Sequence, residues 1–268
     1  MSTEIILSFL AVVAGGYLIG SFPTAVIVGR IVKGVDVREH GSGNAGATNV
    51  VRVLGFWWGL FVALLDIGKG ALPVFVAQWA VGSGVIFSRW DSPVMLVVGG
   101  LAAGIGALVG HALPVFAGFR GGKGVATGAG MVLALWPLIF VFCLSGFLLG
   151  LFLTGFVSVG SLTAAIVLPT MQGVLLTPFG PEARAEDQVS LILGILVGAL
   201  VIFLHRKNIH RLIHHYEKRF DKIWILRPLY SGKTDRNGET NNAPDIITKA
   251  PLHDDISFPQ GWKKDGDL

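Results

Sequence analysis

Charge is scarce in this chain: Asp, Glu, Lys and Arg make up 14% of its 268 residues, against about 25% in a soluble globular domain. With 52% hydrophobic residues and a mean hydropathy of +0.67, the sequence excludes an ordinary water-soluble fold and reads as an integral membrane protein. Cysteine is nearly absent. The single one, Cys143, lies in an apolar run with no His or Asp beside it, which excludes an internal disulfide and suits a structural role. A basic leader is also missing, since only Met1-Ser-Thr-Glu precedes the first apolar run. That run is expected to stay in the mature protein rather than be cleaved as a signal peptide. No internal repeat is visible.

What the chain has instead is apolar runs, near residues 5–29, 53–81, 94–117, 125–153, 156–177 and 189–204. Runs of about twenty residues cross roughly 30 Å of hydrocarbon as helices. Between them lie three basic patches. The first holds Arg30, Lys33, Arg38 and Arg52, the second Arg120 and Lys123, and the third runs from Arg206, Lys207 and Arg211 through Lys218, Arg219 and Lys222. The positive-inside rule puts all three on the cytoplasmic side. Three runs separate the second patch from the third, and an odd number of crossings would place them on opposite sides, so one run must be split. The run 125–153 is too long for one ordinary span and contains Trp136-Pro137, where proline interrupts the backbone ladder. Two helices meeting there, with a reversal at Thr154-Gly155, restore the parity.

The fold expected is all-α: a polytopic membrane protein with seven transmembrane helices, the amino terminus outside and the carboxyl terminus cytoplasmic. After His205, the residues Ile209, Leu212, Ile213, Tyr216, Phe220 and Ile223 recur at helical spacing among basic residues. They predict an amphipathic helix lying on the anionic inner leaflet. Further on the composition turns to Asn, Asp, Lys, Gly and Pro without periodicity. The division is a membrane domain over 1–220 and a polar, disordered cytoplasmic tail over 221–268.

Two glycine-rich loops raise a question of chemistry. In "HGSGNAGATNVVR", Gly41, Gly43 and Gly46 have the G-x-G-x-x-G spacing of a dinucleotide-binding turn. That fold needs a strand before the glycines and a soluble helix after them, whereas here the flanks are membrane spans. "GFRGGKGVAT", Gly118 to Thr127, imitates a P-loop but has Ala117 at the first glycine position and Gly124 where Ser or Thr must hold magnesium. What both loops share is glycine backbone that can turn its N–H groups toward one point, followed by a helix whose positive end favours an anion. Gly43, Gly46, Ser42, Asn44, Thr48 and Asn49 would add donors around such a cradle. Arg52 would add a planar fork for phosphate and Lys123 a point charge. The blander alternative is a pair of basic cytosolic loops that merely satisfy topology. A third segment on the same face, "HRKNIHRLIHHYEKR", favours a site. His205 and Asn208, one helical turn apart, share a face with Leu212 that Arg206 and Lys207 do not.

"GSGNAGATNVVR", "GHALPVFAGFRGGKGVAT" and "HRKNIHRL" resemble, in order and placement, the three cytoplasmic motifs of the acyl-phosphate-dependent glycerol-3-phosphate acyltransferases, the PlsY family of bacterial plasma membranes. "YLIGSFPTAVIVGR" and "LLDIGKG" resemble family stretches as well. The resemblance covers about residues 5–219. It implies a seven-span fold and transfer of a fatty acyl group from acyl phosphate to the sn-1 hydroxyl of glycerol 3-phosphate. The products are 1-acylglycerol 3-phosphate and phosphate, on the cytoplasmic face of the bacterial inner membrane. Ser42, Arg52, Lys123, His205 and Asn208 fall on the family's functional positions. Gly121, Gly122, Gly124 and Thr127 lie in its second motif, and Glu217 falls on the acid that closes its third. This chain departs just before Glu217, where His215 stands at a position usually held by glycine, which puts the local turn and the reach of Glu217 in question.

The chemistry implied needs no cofactor, no metal and no nucleic acid; its partners are acyl phosphate, glycerol 3-phosphate and membrane lipid. Ser42 and Asn208 suit substrate hydrogen bonding rather than nucleophilic attack. His205 suits a positioning hydrogen bond, with a general base as the alternative. His210 and His214 have the spacing of a metal pair without a third ligand. Asp66 and Lys69 are expected to neutralise each other in the membrane, with a direct catalytic role as the alternative, and His111 to be structural, with a catalytic role as the alternative that the family resemblance strengthens. His253, in the tail, has no support for a role. A transporter is the main rival reading, but its polar motifs would lie along a path open to both sides. The H-x-x-x-x-D motif of acyl-CoA-dependent transferases is absent from the sequence. A noncatalytic lipid-binding scaffold is the remaining alternative.

Overall fold

The computed structural model describes residues 3–85, 93–176 and 178–220. All regular structure among them is helical. In chain order the helices are α1 Thr3–Gly20, α2 Thr24–Lys33, α3 Ala47–Leu54, α4 Phe56–Gly82, α5 Pro93–Ala112, α6 Val125–Leu135, α7 Pro137–Thr154, α8 Val157–Leu175, α9 Ala185–Leu204 and α10 Arg206–Ile213. Six segments among the described residues are long and apolar enough to cross a membrane: Ile6–Lys33, Phe56–Gly82, Pro93–Ala117, Pro137–Thr154, Val157–Leu175 and Ala185–Leu204. At 11 residues α6 is too short for that length, about 16 Å at 1.5 Å per residue.

Two breaks shape the bundle. The chain does divide at Trp136-Pro137: Trp136 adopts φ −142°, ψ 76°, and Pro137 opens α7 at a position where its missing N–H has no intrahelical partner to lose. The first run, expected as one uninterrupted segment, divides too. Ser21-Phe22-Pro23 separates α1 from α2, because proline fixes its own φ and pushes its predecessor out of helical geometry.

Lipid supplies no hydrophobic drive between helices, so they associate through close packing of small residues. Gly16 faces Ala103 and Gly20 faces Ala107 so closely that a Cβ at either glycine would lie 2.1 Å from a carbonyl oxygen. The rising register shows that α1 and α5 run parallel. Gly70 meets Thr127, and Gly130 meets Ile67, which locks α4 antiparallel to α6. In the other half Gly150 meets Gly160, and Gly198 meets Ala165, pairing α7 with α8 and α8 with α9 in antiparallel order. One core joins the halves: Val74, Leu101, Met131, Val132, Ile139, Leu168 and Val197 bring together α4 to α9. Large apolar side chains remain outside, among them Trp57, Trp79, Phe142 and Phe203, as a lipid-facing surface requires.

The connections α2–α3, α5–α6 and α7–α8 meet the segment after α9 at one end of the bundle. Phe220 N–H donates to Gly155 O at 2.9 Å, and Lys218 Nζ to Gly41 O at 3.3 Å. The expected amphipathic helix is shorter than its periodicity suggested. It stops at Ile213, and Tyr216 and Phe220 belong to a non-helical strap; Ile223 lies outside the described residues. The stop is at His215, whose φ of 61° is left-handed and incompatible with continuing a right-handed helix.

Candidate active site

The first glycine loop folds around one of its own side chains. Asn49 is buried, its Oδ1 accepting from Ser42 N at 2.7 Å and Ser42 Oγ at 3.1 Å. Its Nδ2 donates to Val37 O at 2.6 Å and His40 O at 3.0 Å. The turn needs glycine at Gly41 and Gly43, whose φ values of 67° and 72° are left-handed. Gly46 precedes α3, which carries Thr48 in its first turn and Arg52 in its last. Asn49, grouped in the sequence with the substrate donors, has its amide fully engaged inside the loop.

The second loop is shaped by its surroundings. Gly122 N–H donates to His111 O at 3.1 Å, and a Cβ on Gly121 would lie 2.0 Å from that same carbonyl. Arg38, counted in the sequence only as charge, joins the loops: its guanidinium bonds Asp36 at 2.7 Å and donates to Ala117 O at 2.7 Å and Arg120 O at 3.3 Å. Gly124, at φ 73°, turns the chain into α6. Thr127 goes to a different place from Lys123, since it is fully buried where α6 packs on Gly70 of α4.

Lys123 meets the third segment. Its Nζ donates to Asn208 Oδ1, Asn208 Nδ2 donates to Glu217 Oε1 at 2.6 Å, and Arg211 Nε donates to Glu217 Oε2 at 2.5 Å. Arg52 stands beside this chain of contacts, with Nη2 3.5 Å from Lys218 O and its guanidinium 5.1 Å from the Phe220 ring centre. His205 and Asn208 are buried, while Arg206 and Lys207 are exposed. The structure thus brings Arg52, Lys123, His205, Asn208 and Glu217 to one end of the bundle, with Ser42 and the glycine backbone beside them. The left-handed His215 makes the turn that glycine would otherwise make. Glu217 consequently reaches Asn208 and Arg211.

Burial and charge set the protonation here. Burial lowers the Lys123 ammonium to about 8, assisted by the neighbouring cations Arg211 and Arg52 and opposed by Glu217. Burial likewise lowers His205, so its imidazole is neutral at pH 7. Because Val201 O can only accept, the 2.8 Å contact to His205 Nδ1 assigns the ring proton to Nδ1 and leaves Nε2 as an acceptor. Burial alone would raise Glu217, but hydrogen bonds from Arg211 and Asn208 outweigh it and keep the carboxylate ionised. Three cations, Arg52, Lys123 and Arg211, therefore stand around the one Glu217 carboxylate, an excess suited to anionic ligands. Arg211 was legible only as part of a basic patch; its pairing with Glu217 depends on the turn at His215.

Among the described residues no group of three His, Cys, Asp or Glu side chains could hold a metal. His210 and His214 instead stack at 4.1 Å between ring centres, with Tyr216 against them. Asp66 and Lys69 pair at 2.9 Å in the bundle interior.

A family profile described as glycerol-3-phosphate acyltransferase matches residues 10–215. The glycerol-3-phosphate acyltransferase of Chlorobaculum parvum is 42% identical over 229 residues, covering 80% of this chain and 97% of that one. Its counterpart in Chlorobaculum tepidum is 41% identical, with coverage of 80% and 97%. Among solved structures, PlsY (YgiH), an integral membrane glycerol 3-phosphate acyltransferase in its glycerol 3-phosphate form, superimposes with a TM-score of 0.65 at 38% identity, covering 80% of this chain and 96% of that one. Its lysophosphatidic acid form gives a TM-score of 0.64 at the same identity, covering 80% of this chain and 95% of that one.

Proposed function

The chain belongs to the glycerol-3-phosphate acyltransferase family, and on that premise we propose that it takes its acyl group from an acyl phosphate. The acceptor is the sn-1 hydroxyl of glycerol 3-phosphate, and the products are 1-acylglycerol 3-phosphate and inorganic phosphate. The observation that carries this reading is the convergence of Arg52, Lys123 and the Asn208–Glu217–Arg211 relay at one end of the bundle. Both substrates bear phosphate, and the cations there exceed the carboxylates.

The donor is already activated, so most of the work is to hold two anions together and aim one hydroxyl at the acyl carbon. Lys123 exchanges Asn208 for a substrate phosphate, and Arg52 offers a planar fork to the same or the second phosphate. Each such charged hydrogen bond contributes roughly 1.5–3 kcal/mol. The glycine turns at Gly43, Gly46, Gly121 and Gly122 shape the cradle, with the Gly43, Gly46 and Gly122 N–H groups held by His40 O, Asn44 O and His111 O, and Ser42, Asn44 and Thr48 supply further donors at the rim. The glycerol oxygen attacks the acyl carbon, the acyl–O bond to phosphate breaks, and the hydroxyl proton ends on the phosphate. Lys123 and Arg52 stabilise the charge that develops on the carbonyl oxygen and the leaving group. His205 Nε2 accepts from the glycerol hydroxyl and orients it, while Glu217 holds Asn208 and Arg211 in place.

In the membrane, α6 and α7 act as a pair that turns at Trp136-Pro137, giving seven crossings. The basic end of the bundle faces the cytoplasm of a bacterial inner membrane and the amino terminus faces outward. The acyl chain lies among the spans, and residues 221–268 form a polar cytoplasmic tail. The test is direct: protein purified in detergent and supplied with acyl phosphate and glycerol 3-phosphate is to form lysophosphatidic acid, with acyl-CoA unable to replace the donor. Equal turnover with acyl-CoA overturns the donor assignment.

A further inference from the structure

A second polar cluster lies behind the glycine loops, inside the helix bundle, and no step above uses it. Asp66 of α4, 1% exposed, accepts from Thr24 Oγ1 at 2.5 Å and pairs with Lys69 Nζ at 2.9 Å. Lys69 Nζ also donates to Phe22 O at 3.0 Å, a carbonyl in the break between α1 and α2. His111, near the end of α5 and 6% exposed, has Nδ1 3.8 Å from Asp66 Oδ1, too far for a hydrogen bond, and that nitrogen has no hydrogen-bond partner among the described residues. A buried pair such as Asp66–Lys69 is costly to desolvate and contributes little net stability for that cost. Its placement suggests another use.

The other edge of the His111 ring presses on the second loop. A Cβ built on Gly122 would lie 2.2 Å from His111 Nε2 and 2.9 Å from Ala45 O, so ring and first loop together leave the Gly122 backbone one narrow slot. His111 O receives the Gly122 N–H as well. Lys123 is the next residue. We propose that His111 is a positioning residue for the transfer reaction: its ring, packed between Asp66 and the second loop, sets the Gly121–Gly122 turn and thereby the reach of Lys123 to substrate phosphate. Asp66 acts one step further back, lying against the His111 ring on one side and, through Lys69 and Thr24, bracing the α1–α2 break on the other. The inference rests on the phosphate-facing role of Lys123, so its test reads Lys123 separately from turnover.

The experiment uses the full-length protein in detergent. A lysine-selective acylating reagent is applied across a pH series, and modification of Lys123 is followed by peptide mass spectrometry beside acyl-transfer kinetics. In the parent protein Lys123 reacts with a midpoint near 8. In His111→Ala the midpoint rises by about one pH unit as the side chain leaves its half-buried seat, lowering Lys123 reactivity at pH 8 several-fold. Turnover falls more than about tenfold, the KM for glycerol 3-phosphate moves less than about threefold, and His111→Gln recovers much of the loss. Should His111→Ala not fold, His111→Phe, which keeps the ring and loses both nitrogens, shows the same directions to a smaller extent. An unmoved Lys123 midpoint with reduced turnover overturns the proposal, as does His111→Gln behaving like His111→Ala. A midpoint that moves in a protein without acyltransferase activity upholds the positioning of Lys123 and overturns the reaction assigned to it.

Discussion

The first glycine loop is held from within, whereas the second is held by its neighbours. Asn49 ties Ser42, Val37 and His40 together across at most 12 residues of chain. The second loop takes its shape from His111 and Arg38, which come from α5 and from the connection after α2. A loop of the first kind carries its geometry in a short motif and survives changes elsewhere in the bundle. One of the second kind reports on the packing of the whole bundle, and it delivers Lys123.

The largest expected effect tests whether the loops contribute comparably. Lys123→Ala and Arg52→Ala should each lower kcat/KM by about a thousandfold, the scale of losing a charged transition-state partner, with the thermal unfolding curve little changed. Turnover unaffected by both substitutions would remove these residues from the site. The next test separates local strain from tertiary crowding. Gly122→Ala should reduce kcat/KM by roughly 100-fold because its Cβ meets His111 and Ala45. Gly43→Ala meets only Arg38 O, at 3.4 Å, and carries a left-handed penalty of about 1–2 kcal/mol. Its loss should stay below about tenfold, and equal losses would erase the distinction between the loops.

The pH profile sharpens the comparison further. Burial lowers Lys123 to about 8, and the working form is the cation, so turnover falls as pH rises through 8, by about tenfold at pH 9. Lys123→Arg should abolish that alkaline limb if it is active at all, since arginine keeps its charge. Toward acid the rate should hold past the ordinary histidine value of about 6.5, because burial keeps His205 neutral to lower pH. Smaller again, Asn49→Ala should cost about 1–3 kcal/mol by leaving loop groups unpaired, read as a lower Tm. Smallest is His215→Gly, which should stabilise the protein by about 1 kcal/mol by relieving a left-handed non-glycine residue. A destabilised His215→Gly would show that the imidazole does more than occupy the turn.

Much of this architecture was legible at the level of elements. The apolar runs locate the long helices, and Pro137 marks a real break. Pro23 carries the same signal, but hydropathy stays high across it and masks the break; the structure divides there and exposes Phe22 O to Lys69. The periodicity through Phe220 overstated α10, since spacing counts apolar residues and is blind to one left-handed residue at 215. Within the candidate site, Arg52, Lys123, His205 and Asn208 could be picked out by charge, spacing and motif. Arg38 and Arg211 could not be given a job, and His111 only a general structural one, because each is defined by what it touches across distant parts of the chain. Thr127 and Asn49 illustrate the converse: both sit in motifs, yet the fold turns one into a helix interface and the other into its own loop.

Composition and hydropathy alone decide that this chain is a helical membrane protein, because continuous apolar runs of about twenty residues suit helices, which satisfy their backbone groups within each span, and not the short alternating strands of a barrel. Motif order likewise decides the family. Which side chains meet one another was settled only when four remote segments closed over one end of the bundle. Contacts such as Lys123–Asn208 join residues 85 positions apart and depend on helix register, side-chain burial and one left-handed turn. Those quantities are set by three-dimensional packing and leave no pattern in a linear string.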